Sequence, residues 1–371
     1  MMLTNTNNPI SPLVYDPVYE VLEQDEAETQ QALIKTLTGI SEITFKDSGH
    51  ATRSVHAKSH GLLLGEIEIF DHLPPHLAQG LFAKALSLPV VMRFSTPPGD
   101  MLDDNVSVPR GLALKIIGVE GERLIDSEDA ITQDFVLVNG PAFSKPNAKK
   151  FLSNLKLLAA TTDKAPVLKK VLSTVLRSTE KLIEAVGGES ATLKSLGGHP
   201  ETNILGETYF SQAPILFGDY MAKISVAPIS DTLTQLKNAP VDLHNKPNGL
   251  REAVVDFFDV NTAVWELRVQ LCTDLENMPI EDSSIVWSEN LSPYIAVARI
   301  TAKPQAAWSD ALSRAVDDGM SFNPWHGIAA HRPIGSIMRV RKMAYEMSVR
   351  FRAEHSGLPI LEPANLNNFP K

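Results

Sequence analysis

The chain has 371 residues, of which 43% are hydrophobic, so it can bury the core of one large domain or of two or three smaller ones. Its formal net charge of −10 at pH 7 argues against a protein that binds duplex nucleic acid and against general adhesion to anionic membranes. A single cysteine, Cys272, excludes a disulfide within the chain and a metal cluster held by thiolates.

The first part of the chain predicts an N-terminal arm followed by an antiparallel sheet or barrel. The arm, residues 1–50, contains one predicted helix over 21–37, where apolar residues recur at helical spacing. Beyond the arm the apolar period becomes two, and turns rich in proline and glycine separate short strands without long helices between them. The predicted strands of this block are 66–70, 90–95, 112–117 and 135–138.

The second part begins with a predicted helical insert, about 144–200, which separates two blocks of strands. A final helix is predicted from about Ser336 to about His355, with Gly357 as its C-terminal stop. We therefore expect one main domain over 51–355 and a C-terminal tail over 356–371. The predicted strands of the second block are 220–226, 262–271 and 294–300.

Three polar side chains share one face of the final helix, namely Arg341, Tyr345 and Arg352. An arginine one turn before a tyrosine favours a phenolate, and a phenolate is one of the axial ligands that haem iron accepts. A tyrosine packed on a solvated basic helix is the simpler interpretation when the helix is considered alone.

His56 lies in the segment 53–58, Arg-Ser-Val-His-Ala-Lys, at the start of an alternating apolar run. A histidine between two cations can serve as an acid–base group over a cofactor. A lone histidine near the start of a strand is more often structural, and this segment by itself leaves both interpretations open.

Taken together and in order, the motifs of this chain resemble those of the haem catalase family. The resemblance extends from about Arg53 to Arg352 and is densest between 53 and 151. It implies an α+β fold, a catalase-like antiparallel β-barrel with a helical insert and a C-terminal proximal helix, with the haem-binding domain over 51–355. The matching blocks are 53–58, 93–96, 109–115, 133–135, 139–143 with its extension 148–151, and 341–345 with Arg352.

The resemblance also implies roles on the distal side of a haem. His56 is similar to the acid–base histidine, and Asn139 to the asparagine that hydrogen-bonds the bound peroxide. Ser95 matches the serine that orients the histidine, and Val55 the valine that narrows the pocket. Phe151 is placed where the family stacks a phenylalanine on the haem.

On the proximal side the resemblance implies that Tyr345 is the iron ligand and Arg341 its charge partner. Arg53, Arg93 and Arg352 match positions that bind the haem propionates, where a bidentate guanidinium suits a carboxylate. The implied cofactor is haem b, and the implied reaction is the cleavage of hydrogen peroxide.

The chain is similar to the small catalase-related peroxidases because it is shorter than ordinary catalases. After Tyr345 it continues with Glu346-Met347-Ser348, where the family usually has Pro-Asp-Thr. We expect peroxidase-type turnover with an unknown electron donor alongside catalase turnover, and a homo-oligomer. The alternatives are a relative that processes fatty-acid or organic hydroperoxides, and a haem-binding protein without turnover. The sequence has neither a secretory signal nor an apolar run long enough for a membrane span, which predicts a cytoplasmic protein.

Overall fold

The computed structural model describes residues 11–161 apart from 98, 100 and 107, and residues 200–370 apart from 368. The described strands are β1 (Lys58–Ile69), β2 (Ser87–Thr96), β3 (Gly111–Ile117), β4 (Thr132–Val138), β5 (Tyr209–Phe210), β6 (Ile215–Phe217), β7 (Tyr220–Pro228), β8 (Ala263–Leu271) and β9 (Ile295–Ala302). The described α-helices are α1 (Glu26–Ser48), α2 (Ala148–Thr161), α3 (Asp231–Thr234), α4 (Gly249–Phe258), α5 (Asp310–Ser313) and α6 (Ser336–Ser356). A π-helical turn, Arg314–Asp318, directly follows α5.

The strands form one antiparallel sheet that closes into a barrel. Their order is β5-β4-β3-β2-β1-β9-β8-β7-β6, and an additional pairing of β5 with β7 joins the two sides. Eight strands therefore complete the barrel, and β6 extends the sheet beyond β7. Closure removes the free sheet edges, which is why short strands can be stable here. The predicted antiparallel barrel is confirmed.

The barrel core follows from the alternating pattern of the strands, because every second side chain points inward. The inward positions of β1 and β2 are almost fully buried, and the same cluster continues through β3, β7 and β8. Burial of each large aliphatic side chain contributes about 1.5–3 kcal/mol, so this cluster dominates the stability of the barrel. Among its fully buried members are Leu63, Ile67, Val90, Phe94, Leu114, Val226 and Trp265.

A second apolar cluster, here called the helix cluster, holds α1, α2 and α6 together. Its buried members are Leu33, Leu37, Ile40, Ala51, Ala148, Leu152, Leu155, Val340, Met347 and Phe351. Val55, Phe151 and Ala344 pack against it from the segment before β1, from α2 and from α6. The helix cluster therefore brings the C-terminal helix towards the segment that carries His56.

The observed element bounds agree with most of the sequence predictions. The C-terminal helix ends at Gly357, whose φ of 64° is a left-handed cap. The arm helix begins later than predicted and continues to Ser48, because Ile40 and Thr44 prolong its buried face. Of the predicted insert, α2 is described, and 162–199 lie outside the described residues. Among the described residues, no helix has both the length and the apolar character that a membrane crossing requires.

The segment after α6 folds back onto the barrel. The Leu361 N–H donates to the Gly319 carbonyl at 3.0 Å. Glu362 accepts a hydrogen bond from the buried Lys115, which also binds Asp134 at 2.7 Å. Leu366 packs against an apolar cluster on the outer side of β1 and β2. The predicted tail is thus anchored by an ion pair and by apolar contacts.

Candidate active site around His56

The backbone of His56 is held in an uncommon conformation. Its φ is 56°, in the left-handed region that residues other than glycine rarely adopt. Its N–H donates to the Pro97 carbonyl at 2.7 Å, and its own carbonyl accepts from Arg93 Nη2 at 2.8 Å. These two bonds stabilise the strained backbone of His56.

The imidazole is fixed by a hydroxyl and by the backbone of β3. His56 Nδ1 and Ser95 Oγ lie 3.0 Å apart and share a hydrogen bond. A Cβ atom at Gly111 would come 2.5 Å from Nδ1, so only a glycine leaves room for the ring. Ser95 pairs with Gly111 and Gly111 with Val138, so these residues form one row across three strands. The ring lies over this row, so the fold brings Ser95 into contact with His56.

Asn139 follows Val138 at the end of the same row. Its Oδ1 accepts the Arg110 N–H at 2.7 Å, and its own N–H donates to the Arg110 carbonyl at 3.0 Å. Its Nδ2 donates to the carboxylate of Glu207, which also accepts from Thr202 Oγ1 at 3.1 Å. The strand register therefore brings Asn139 to the same edge of the barrel as His56.

Two residues of this site, Gly111 and Glu207, were not predicted from the sequence. Gly111 belongs to a matching block, but its contact with His56 depends on the register between β2 and β3. Glu207 lies outside all the matching blocks and follows a short 3₁₀ helix, Ile204–Gly206. No local pattern around Glu207 indicates a contact with Asn139.

Burial and the charges around His56 keep its ring neutral. Burial, followed by the charge of Arg93, lowers the pKa of His56 to about 3. Arg341 and Arg53 act in the same direction. A neutral imidazole at physiological pH can accept a proton, which a general base requires. The helix cluster brings α6, which carries Arg341, towards the segment of His56.

The structure places Arg341 and Tyr345 one turn apart on α6, but it does not join them by a hydrogen bond. Arg341 Nη1 contacts Met338 Sδ at 3.4 Å, and its guanidinium lies 5.6 Å from the centre of the Phe143 ring. Tyr345 is half-buried, and no hydrogen bond to its hydroxyl is recorded among the described residues. The Tyr345 oxygen is therefore available to coordinate a metal ion.

Phe151 and Val55 lie at the edge of the helix cluster. The Phe151 ring packs against that of Phe143 with the ring centres 5.1 Å apart. Since Phe143 also contacts Arg341, this aromatic pair connects α2 with α6. Val55, in the segment that carries His56, and Phe151, on α2, are both half-buried apolar side chains.

The three arginines predicted to bind propionates converge on Asp317, in the turn after α5. Arg93 Nε donates to Asp317 Oδ1 at 2.7 Å, and Arg53 Nη1 to the same oxygen at 3.3 Å. Arg352 Nη1 donates to the Asp317 carbonyl at 2.8 Å. Burial acts to raise the pKa of Asp317, but the charges of Arg93 and Arg53 lower it below its ordinary value.

This arginine cluster is more cationic than its nearest carboxylates can neutralise. Asp317 and Asp318 face the guanidiniums of Arg53, Arg93 and Arg352, which leaves one excess positive charge. The buried Nε of Arg352 has no hydrogen-bond partner among the described residues. A cavity of about 190 Å³ opens beside the cluster. The cavity is lined by His50, Thr52, Arg53, Arg251, Trp308 and Asp317, among others.

No protein-family model and no curated protein sequence matches this chain. Its structure is similar to those of several catalases. A fungal catalase, at 19% identity and a TM-score of 0.60, matches over 95% of this chain and 68% of its own length. A bacterial catalase, at 17% identity and a TM-score of 0.59, matches over 98% of this chain and 66% of its own length. Catalase A from Saccharomyces cerevisiae, at 19% identity and a TM-score of 0.60, matches over 95% of this chain and 70% of its own length. The chain spans about two thirds of the length of these catalases and has the catalase fold, which confirms in fold the resemblance found in its sequence.

Proposed function

We propose that this protein is a haem-dependent enzyme that cleaves hydrogen peroxide. The observation that carries the proposal is the environment of His56. Its neutral ring lies between Ser95 and Gly111, and Asn139 directly follows Val138, the last residue of their row. This set offers one proton carrier and one amide donor at the edge of a catalase-type barrel. The similarity to solved catalases supports the reaction class.

The residues present fit a haem group. Tyr345 offers an oxygen ligand that the described part of the protein does not use, and α6 packs in the same helix cluster as Val55, the neighbour of His56. The excess positive charge of the arginine cluster suits the carboxylates of haem propionates. Arg352 Nε is a buried N–H with no partner in the described residues, which a propionate oxygen would satisfy. Haem, when bound, would supply the redox chemistry of O–O cleavage.

His56 carries the proton in the proposed reaction. Because Nδ1 is engaged with Ser95, Nε2 is the nitrogen that faces a peroxide. Nε2 accepts a proton from one peroxide oxygen and returns it to the other, which leaves as water. The two electrons and the acceptor for the second oxygen atom would come from the haem. Asn139 donates an amide N–H to the leaving oxygen and stabilises its developing charge. The glycine at position 111 and the bond to Ser95 hold the ring in place for both transfers.

We further propose that turnover includes oxidation of a small electron donor, as in a peroxidase. The cavity beside the arginine cluster supports this proposal, since it is bordered by Arg53, Arg251 and Trp308. The Arg251 guanidinium stacks 3.7 Å from the centre of the Trp308 ring, which gives the cavity one flat wall. Such a wall suits a small planar donor.

The proposal is tested by purifying the protein from cells supplied with haem and recording its visible spectrum. Oxygen release from hydrogen peroxide is then compared with oxidation of a dye donor. We expect a ferric spectrum of the tyrosinate type together with at least one of the two activities. A protein that takes up no haem, or that takes it up and shows neither activity, would contradict the proposal.

A further inference from the structure

We infer that Glu207 is a positioning residue that holds the amide of Asn139 in one orientation for the proposed reaction. This inference rests on the proposed function, because Asn139 is the amide assigned to the peroxide. The contact is direct, since Asn139 Nδ2 donates to the Glu207 carboxylate. The carboxylate that contacts Asn139 comes from Glu207, which lies outside the sequence blocks that resemble the catalase family.

The two partners of the amide allow only one orientation. A backbone N–H can only donate, so the group that faces Arg110 N at 2.7 Å must be the amide oxygen. An ionised carboxylate can only accept, so the group that faces Glu207 must be the amide nitrogen. Rotating the amide by 180° would place two donors together and two acceptors together. Glu207 and Arg110 thus exclude the flipped amide.

This orientation determines which group a peroxide meets. Nδ2 carries two hydrogens, and Glu207 is the one acceptor recorded for it among the described residues. The second hydrogen remains for a ligand. A charged acceptor on the first N–H also polarises the amide, which strengthens the second N–H as a donor. With the amide flipped, an oxygen would face the peroxide instead and would repel the leaving oxygen.

Glu207 is itself rigidly mounted. Thr202 Oγ1 donates to its other carboxylate oxygen at 3.1 Å. The preceding Gly206 packs so closely that a Cβ there would come 2.3 Å from the Leu236 backbone, which fixes the chain at that point. Two residues further on, the buried Tyr209 donates from its hydroxyl to the Ile204 carbonyl at 2.7 Å. The chain is therefore fixed on both sides of Glu207, and the bond from Thr202 fixes its carboxylate.

The first test is a measurement on the apoprotein, which does not depend on haem or on turnover. The side-chain amide of Asn139 is observed by NMR after selective ¹⁵N-asparagine labelling, with Asn139→Ala to assign the signals. We expect one amide proton shifted downfield and slow to exchange in the wild type. That signal should be lost in Glu207→Ala and retained in Glu207→Gln, whose side-chain oxygen can still accept. An unchanged signal in Glu207→Ala would overturn the inference.

The second test is a double-mutant cycle on peroxide turnover by the haem-loaded protein. We expect Glu207→Ala to lower kcat by about ten- to a hundredfold, with KM changed by less than about threefold, because a transition-state contact is lost. Glu207→Gln should remain within about threefold of the wild type. In an Asn139→Ala background, Glu207→Ala should cause no further loss. Additive losses would mean that Glu207 acts independently of Asn139 and would overturn the inference.

The exposed Glu68 provides a matched control, since it lies near the end of β1 opposite to His56 and Glu68→Ala removes a surface carboxylate. It should leave both the NMR signal and kcat unchanged. If the wild type takes up haem but turns over no peroxide, the proposed function fails, and the apoprotein measurement still decides whether Glu207 holds Asn139.

Discussion

Gly111 and His56 are so close that a Cβ on Gly111 would lie 2.5 Å from the imidazole Nδ1 and 2.6 Å from Cε1. The contact arises because β3 passes directly beneath the ring, in register with Ser95 on β2. Both the position and the hydrogen bond of the ring therefore depend on a residue with no side chain.

We expect Gly111→Ala to displace the imidazole and to break its bond to Ser95. Peroxide turnover should fall at least about tenfold, and overpacking should cost about 1–3 kcal/mol of unfolding free energy. Steady-state kinetics and urea denaturation measure the two effects. Gly39→Ala is the matched control, since nothing lies within 4 Å of the added atom and the site is helical. This control should stabilise the protein by about 0.5–1 kcal/mol, and equal losses in both variants would contradict the expectation.

The pKa of His56, about 3, leads to a prediction about acid conditions. Since a lowered pKa keeps the ring neutral, the proposed base remains active until the pH falls close to 3. Peroxide turnover should therefore show no loss with a midpoint near 6.5, the ordinary histidine value. Because the unfolded chain protonates His56 near the ordinary pKa of 6.5 and the folded protein only near 3, the free energy of unfolding decreases as the pH falls from about 6.5 towards 3. The measurement is the initial rate between pH 4 and 8, on protein that circular dichroism shows to be folded. A loss of activity with a midpoint near pH 6.5 would contradict the prediction.

Replacement of His56 and of Tyr345 should separate catalysis from cofactor binding. His56→Ala should retain haem and lose peroxide cleavage by at least about a hundredfold, because the proton carrier is gone. Tyr345→Phe removes only the hydroxyl and should lose or weaken haem binding. Haem content and the visible spectrum distinguish the two. Unchanged iron ligation in Tyr345→Phe would show that the ligand is another residue.

The burial of Asp317 among three arginines makes it important for the stability of the apoprotein. Asp317→Asn retains the shape but leaves buried guanidiniums without their countercharge, which should cost about 3–5 kcal/mol. Asp126→Asn is the control. Asp126 is exposed and pairs with Lys342 at 2.7 Å, so its replacement should cost about 0–1 kcal/mol. Urea denaturation of both apoproteins measures the difference, and equal costs would show that the arginines do not depend on Asp317.

If the arginine cluster binds propionates, haem should restore much of the stability that Asp317→Asn loses. The unfolding midpoint of this variant should therefore rise more on haem addition than that of the wild type. An equal rise in both proteins would show that the cluster does not contact the cofactor.

The local patterns of this sequence determined its element types and the outline of its fold. Period-two strands separated by turns predicted the antiparallel barrel, and the spacing from Ser336 to His355 predicted the C-terminal helix, because these periodicities depend only on neighbouring residues. The motif blocks also singled out His56, Ser95 and Asn139, which the barrel register brings to one edge.

The contacts that give these residues their chemistry were decided only by the tertiary structure. The resemblance in sequence implies propionate partners for Arg53, Arg93 and Arg352, and only the folded chain shows that all three also meet at Asp317. Likewise, Glu207 reaches Asn139 only because β5 closes the barrel beside β4. Hydrogen bonds and ion pairs between distant segments depend on closure and register. A periodicity of two or of 3.6 residues reports which face of a strand or helix is buried, but not which charged group that face will meet.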